Sequence, residues 1–350
     1  MLGHGIRAAG CQDLAPMLLN LGVPVVASWQ AKDLVDNRHP AFLGCTGIYG
    51  NRGANKALAN ADQLVVLGNR LSLWNISEHG LAAKPEVLMV DVDPIEATRL
   101  GAEYLSTPLS FFIRNLESAR CPEWMKQCLD WNTDWLEHRD TEAYINSYKF
   151  TNALTPFLEP DHVIVTDMGA PLMSAHQVLR LKPPQRLMTS GGLGEMGVAL
   201  PAAIGACFAG AKHVLCLHAD GGMMMNLQEL QTILHHNLPI KIIIYENEGY
   251  LMMKHTQKAQ SLIPHGVSPR TGVSLPDYER LLRGWGFRVG SLRTSTDFST
   301  LIPQLFGAEG PAAVIYHMDP EQPLVPKMTY RYEGPTLVYD TLSDMSPHKE

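Results

Sequence analysis

No run of the ~18 apolar residues that a membrane span requires occurs anywhere in the sequence. The opening MLGHGIRAAG also lacks a charged-then-apolar leader pattern, so a cytoplasmic chain with no membrane partner is expected. Cysteine is sparse and has no C-x-x-C spacing: the six residues are Cys11, Cys45, Cys121, Cys128, Cys207 and Cys216. Several lie in apolar strand- or helix-like stretches, where a reduced core thiol is the ordinary state. Basic residues form no stripe: 28 Lys and Arg are scattered among 35 Asp and Glu, for a net charge of −7, which argues against a nucleic-acid partner. With 45% hydrophobic and 18% charged residues, the composition also excludes disorder, collagen and coiled coil.

What is present is a run of apolar, β-branched segments alternating with helix-like stretches. VPVVAS (23–28), QLVVLG (63–68), EVLMVDVD (86–93), HVIVTDMG (162–169), HVLCLHADGG (213–222), IKIIIYENEG (240–249) and AAVIYHMD (312–319) read as buried strands. Continuous apolar strands separated by helical pattern imply parallel sheets with crossover helices. The fold class expected is therefore α/β, with two doubly wound parallel-sheet domains joined by a helical linker. The Trp-, Leu- and charge-rich stretch 106–139 supplies that linker. The expected divisions are 1–120, 121–325 and a C-terminal tail over 326–350, where the pattern loses its period. The N-terminal domain opens abruptly. Gly3-His4-Gly5 reads as the turn after a strand, with a helix over 6–22 behind it, yet only Met1-Leu2 stand where four or five apolar residues are expected.

The chemistry concentrates between residues 190 and 251. Gly192, Gly194 and Gly197 satisfy G-x-G-x-x-G after the strand-like RLMTS, a weak signal shared by any turn that lets backbone approach a ligand. A dinucleotide-binding dehydrogenase, with Asp220 holding a ribose, is one reading of it. The next two strands argue otherwise. One ends in Ala219-Asp220-Gly221-Gly222 before the helical MMMNLQELQTILHH, and the other in Glu246-Asn247-Glu248-Gly249-Tyr250. An Asp and an Asn then stand at the carboxyl ends of adjacent parallel strands, the usual ligand crevice of an open α/β sheet. A carboxylate, an amide oxygen and a backbone carbonyl are hard donors that suit Mg²⁺. Glycine N–H groups and a helix N-terminus beside them suit a diphosphate.

From Gly3 to about Met318 the sequence resembles the central and C-terminal domains of acetolactate synthase-like, thiamine diphosphate-dependent enzymes. The match is densest from Ser190 to Tyr250, where SGGLGEMG and the Asp220/Asn247 pair stand against the family's SGGLGxMG and GDG…NN elements. The resemblance implies that Asp220, Asn247 and the Gly249 carbonyl ligate Mg²⁺. It also implies that Gly221, Gly222, Tyr250 and Leu251 line the diphosphate, and that Met196, on the turn with Gly194, props the bent cofactor. There are departures. Ala219 and Glu246 replace the first residues of the two motifs, without removing a metal-binding side chain. Ala170 and Pro171 stand at the cofactor where many relatives carry Gln and His. Arg70 is retained, but Ser72-Leu73-Trp74 replace the acidic residues that follow it in the family, so the central domain is expected as scaffold rather than as an FAD holder.

In the family, an activating glutamate for the cofactor's pyrimidine comes from a separate pyrimidine-binding domain. No glutamate of this sequence (Glu78, Glu159, Glu195 and Glu229 among them) has a suitable strand–helix context, so no catalytic residue of that kind is expected here. The resemblance then implies a cofactor-binding subunit of a two-component, hetero-oligomeric enzyme, two copies of each chain. A partner segment is expected to extend the interrupted first strand by strand addition. The expected reaction is decarboxylation of a pyruvate-like 2-oxo acid and carboligation of the two-carbon unit to an acceptor. A simple decarboxylase subunit, a non-catalytic scaffold and the dehydrogenase are the alternatives. His235, His236 and His218 read as capping or core residues, and His255 as a residue able to face substrate. Met252 and Met253 are placed near the cofactor.

Overall fold

A computed structural model describes residues 1–76, 81, 85–132, 138–333 and 336–347. It is α/β with parallel sheets, in two compact units. The first comprises Met1–Glu137, Arg180–Pro183 and Val325–Glu350, and the second His138–Leu179 and Pro184–Leu324.

In the first unit, β1 (Val25–Ala27) pairs with β2 (Phe42–Cys45), and β3 (Gln63–Leu67) with β4 (Glu86–Val90) and β5 (Glu103–Leu105), all parallel. The opening residues join these two groups. Leu2 bridges Ala27 and Leu67 in parallel, with Leu2 N–H donating to Val26 O at 2.8 Å and Gly3 N–H to Leu67 O at 2.9 Å. The helix expected over 6–22 is broken. One turn, Gly5–Ala8, is followed at Gly10 by a 3₁₀ stretch, Gln12–Asn20, because Gly10 turns the chain at φ 68° and Pro16 cannot donate a helical bond.

The units divide the chain differently from the boundaries expected at 120 and 326. The helix Pro122–Asp130 belongs to the first unit, with Cys128 in its core beside Trp124 and Trp131, whose rings meet edge-on at 5.5 Å. Helix Leu109–Arg114 also forms, while residues 133–137 of the expected linker lie outside the described residues, as do Glu78 and the last three of the tail. Residues 325–347 are not a loose extension. Met328, Leu342 and Met345 enter the core of the first unit, β12 (Tyr330–Glu333) pairs antiparallel with β13 (Thr336–Tyr339), and Arg52 donates to Met345 O at 2.6 Å.

The second unit is one six-stranded sheet in the order β10-β11-β9-β8-β6-β7, every pair parallel. Its strands are β6 (Val163–Thr166), β7 (Arg186–Thr189), β8 (Val214–Ala219), β9 (Ile240–Glu246), β10 (Arg288–Leu292) and β11 (Ala312–His317). Both faces are covered, which is why β8 and β9 read as unbroken apolar runs. On one face Val214, Cys216, Ile240, Ile242 and Ile244 pack with Ala199, Leu230, Ile233, Tyr278 and Leu282. On the other, Phe150 stacks on Tyr316 at 3.8 Å and meets Tyr245 and Phe298 edge-on, each at 5.6 Å. The order places β7 on one side of β6 and β8 on the other. The chain therefore reverses direction across the sheet between β6 and β8, and a crevice opens at their carboxyl ends. Phe150→Ala leaves a cavity in this aromatic cluster and should lower the unfolding free energy of the second unit by about 3–5 kcal/mol, read from the shift of its urea transition.

Candidate functional site

Four strand ends meet at the crevice. The segments after β6, β7, β8 and β9 surround a cavity of about 340 Å³. It is lined by Met168, Gly169 and Ala170, by Gly194 and Met196, by Ala219, Gly221 and Gly222, and by Asn247, Gly249, Tyr250 and Leu251. Met252, Met253, Thr256 and Gln257 of the helix Leu251–Ala259 complete the wall. Among the described residues, none that lines the cavity carries a carboxylate, an amine, a guanidinium or an imidazole. Of the cofactor- and metal-binding residues expected from the sequence, Pro171 and Asp220 do not line the cavity. Pro171 is buried in the first turn of the helix Ala170–Val178, and Asp220 lies fully buried at the end of β8.

Asp220 is where the geometry tightens. Its Oδ2 accepts from the backbone N–H of Asn247 at 2.8 Å and of Gly249 at 3.1 Å, and its Oδ1 from its neighbour Gly221 at 2.7 Å. Its own carbonyl accepts from the Tyr278 hydroxyl at 2.5 Å. Burial pushes the Asp220 carboxyl up to about 7. The three N–H groups oppose that shift and the nearby Glu246 charge adds to it. Asn247 is buried beside it, and its Oδ1 has no hydrogen-bond partner among the described residues. A buried, unsatisfied amide oxygen is costly. Next to a carboxylate whose charge is disfavoured by burial, it is the donor set that a hard divalent cation would satisfy. Among the described residues, no three His, Cys, Asp or Glu side chains gather elsewhere as a metal site.

The helix expected to run unbroken after Gly222 is two short pieces, Asp220–Met223 and Glu229–His235. Between them Asn226 turns back and donates through Nδ2 to Gly197 O at 2.9 Å. The side chain of Asp167, buried at the end of β6, accepts from Gly197 N–H at 2.7 Å. Burial raises the Asp167 carboxyl above its usual range, against the pull of His218 and of backbone N–H groups. Gly222 must be glycine, since a Cβ there would stand 1.8 Å from Asp167 Oδ2.

His218 is a core residue of β8, its Nδ1 at 3.0 Å from Ala219 O. His255 does not line the cavity; its Nε2 stands 2.9 Å from Gln322 O. Glu246 pairs with His317, which bonds Ser291 through Nε2 at 2.8 Å. The sequence reading did not assign Met168, Thr256 or Gln257 to the cavity. For the last two a signal existed: 252/256 and 253/257 are i, i+4 pairs that share a helix face. Asp167 and Asn226 were also passed over, for they act through backbone groups remote in sequence.

Comparison with known proteins accords with this geometry. Residues 167–316 match the family model "Thiamine pyrophosphate enzyme, C-terminal TPP binding domain", and residues 1–105 match "Thiamine pyrophosphate enzyme, central domain". The chain is 29% identical to acetolactate synthase isozyme 1 large subunit of Escherichia coli K12 over 314 residues, 87% of this chain and 55% of that protein. It is 27% identical to the isozyme 2 large subunit of the same organism, covering 93% of this chain and 61% of that protein. Pyruvate oxidase of Lactiplantibacillus plantarum is 28% identical over 73% of this chain and 44% of its own length. The chain thus spans between 44% and 61% of the length of these relatives.

The raised Asp220 carboxyl gives a pH signature. The folded chain holds a proton there up to about pH 7, whereas an unfolded Asp loses it near ~3.9. Stability from this group is therefore full below the unfolded value, falls as pH rises, and is flat above the folded value. Without divalent cation, the melting temperature of the wild type relative to Asp220→Asn should fall from pH 5 to about pH 7 and then level, measured by differential scanning fluorimetry.

Proposed function

Because the chain belongs to the thiamine pyrophosphate enzymes, in their acetolactate synthase-like branch, we propose that it binds thiamine diphosphate with Mg²⁺ and serves the decarboxylation of a pyruvate-like 2-oxo acid, with transfer of the two-carbon unit to an acceptor. The observation that carries this reading is the unpartnered Asn247 Oδ1, buried beside the Asp220 carboxylate at the mouth of the sheet's switch point. Asp220, Asn247 and the Gly249 carbonyl would hold the cation. Gly221, Gly222, Tyr250 and Leu251, at the start of the nine-residue helix Leu251–Ala259, would receive the diphosphate on backbone N–H groups. When bound, the cofactor supplies the electron sink for loss of CO₂ from the 2-oxo acid. Met196 and the apolar wall from Ala170 to Met253 would keep water from the reacting end, with Met196 as the side chain that would support the cofactor from below. The central unit serves as scaffold without FAD.

Proton transfer at the cofactor's pyrimidine calls for a carboxylate, and among the described residues none lines the cavity. Leu193, Met224, Met225 and Met253, from the segments around the cavity, are 86%, 44%, 46% and 49% exposed, an apolar surface suited to a docking partner. On this reading a pyrimidine-binding domain on a second polypeptide covers that surface and brings the glutamate, in a cytoplasmic hetero-oligomer of two copies each.

Asp220→Ala removes the only charged ligand of the cation, and calorimetry on the assembled enzyme should show no Mg²⁺-dependent thiamine diphosphate binding. Unchanged affinity would overturn the site. Met196→Ala should leave affinity nearly intact and cut turnover ~100-fold, the scale of a ~1 Å misplacement at the reacting atoms. The 350-residue chain alone should consume no pyruvate, and co-expression with a pyrimidine-domain polypeptide should restore consumption. Turnover by the chain alone would refute the second-polypeptide reading.

A further inference from the structure

The turn that carries Met196 is held at one place. Among the described residues, no hydrogen bond reaches Ser190 to Met196, and Leu193 and Glu195 face solvent. The next residue, Gly197, is gripped on both sides of its backbone. Its N–H donates to Asp167 Oδ1 at 2.7 Å, and its carbonyl accepts from Asn226 Nδ2 at 2.9 Å. The two grips come from different strands, Asp167 at the end of β6 and Asn226 after β8, on either side of the switch point. Asp167 cannot drift, since its own N–H donates to Leu217 O at 2.9 Å and its side chain is wedged against Gly222. Gly197 has φ 84°, and a Cβ there would lie 2.5 Å from Met225 Cβ, so the grip needs the bare backbone.

We propose that Asp167 and Asn226 are positioning residues that clamp the Gly197 peptide and thereby fix Met196 beneath the cofactor. The inference rests on the thiamine diphosphate reading above and adds to it two side chains that touch neither cofactor nor substrate. The clamp acts through alignment rather than affinity. On that reading the diphosphate and cation would be held at the β8 and β9 ends, where Asp220 bonds the N–H groups of Gly221, Asn247 and Gly249 rather than Gly197. A turn left free to shift by ~1 Å would misplace Met196 at the ~100-fold scale in rate.

The test is Asn226→Asp, which keeps the side-chain shape but sets an acceptor against the Gly197 carbonyl. Amide hydrogen exchange at Gly197, the amide of the turn that is hydrogen-bonded, should rise by about tenfold, the size expected for losing one ~1.4 kcal/mol hydrogen bond. In the assembled enzyme, kcat should fall 10- to 100-fold. The thiamine diphosphate Kd should stay within about threefold, because the clamp makes no cofactor contact. Asp167→Asn, which retains an acceptor for Gly197 N–H, should lose less turnover than Asp167→Ala. Unchanged exchange at Gly197 in Asn226→Asp, or a Kd that worsens in step with kcat, would overturn the clamp. If the wild type fails to bind thiamine diphosphate at all, the functional reading falls, while the exchange measurement still decides whether the clamp exists.

Discussion

The buried Asp220 carboxylate accepts N–H groups from the loop beyond the neighbouring strand, and that grip sets where Asn247 and Gly249 stand. Removing a carboxylate from water is costly, and three backbone donors offset only part of that cost. The remainder leaves the chain with a group that gains from any cation reaching it. Much of the second unit serves this arrangement. Parallel β8 and β9 present their ends side by side. The helix Tyr278–Trp285 sends Tyr278 to the Asp220 carbonyl. The covered sheet keeps water from the Asp220 carboxyl, which is fully buried behind the cavity wall.

The crevice also divides its tasks among segments. The β8 and β9 ends carry the oxygen donors, and the turn after β7 carries Met196. The segment after β6 gives Asp167 to that turn and Ala170 to the wall. An open α/β sheet favours this division, because strand ends lie about 4.8 Å apart and loops can be specialised without disturbing one another. Ala170 presents only a methyl group to the cavity, which leaves the polar character of that wall to backbone groups.

The sequence made the second unit legible because physics repeats itself there. Strands buried on both faces must be apolar throughout, so β6, β8, β9 and β11 could be read directly. Asp220 and Asn247 could be read because they end such strands. What escaped was short, exposed or dependent on distant partners. β5 is three residues with both ends exposed, β2 carries Gly44 among its four, and β10 holds Arg288, Gly290 and Ser291 in its five, which masks any period. The helix expected through Met224–Gln228 breaks there because Asn226 serves Gly197, some thirty residues upstream. Among the described side chains of 325–347, Met328, Leu342 and Met345 enter the core, too far apart in sequence to form a stripe that announced it.

That last feature bears on how the protein is made. A ribosome emits the residues of the second unit, His138 to Leu324, before Val325 onward exists. The second unit can therefore close while the first still lacks Met328, Leu342 and Met345 from its interior. The half synthesised first is the half finished last. Until the final residues emerge, Ala54, Leu58 and Ile76 lack part of their packing and remain open to nonproductive contacts. Arg52, which captures the Met345 and Pro347 carbonyls, is the latch that ends this interval.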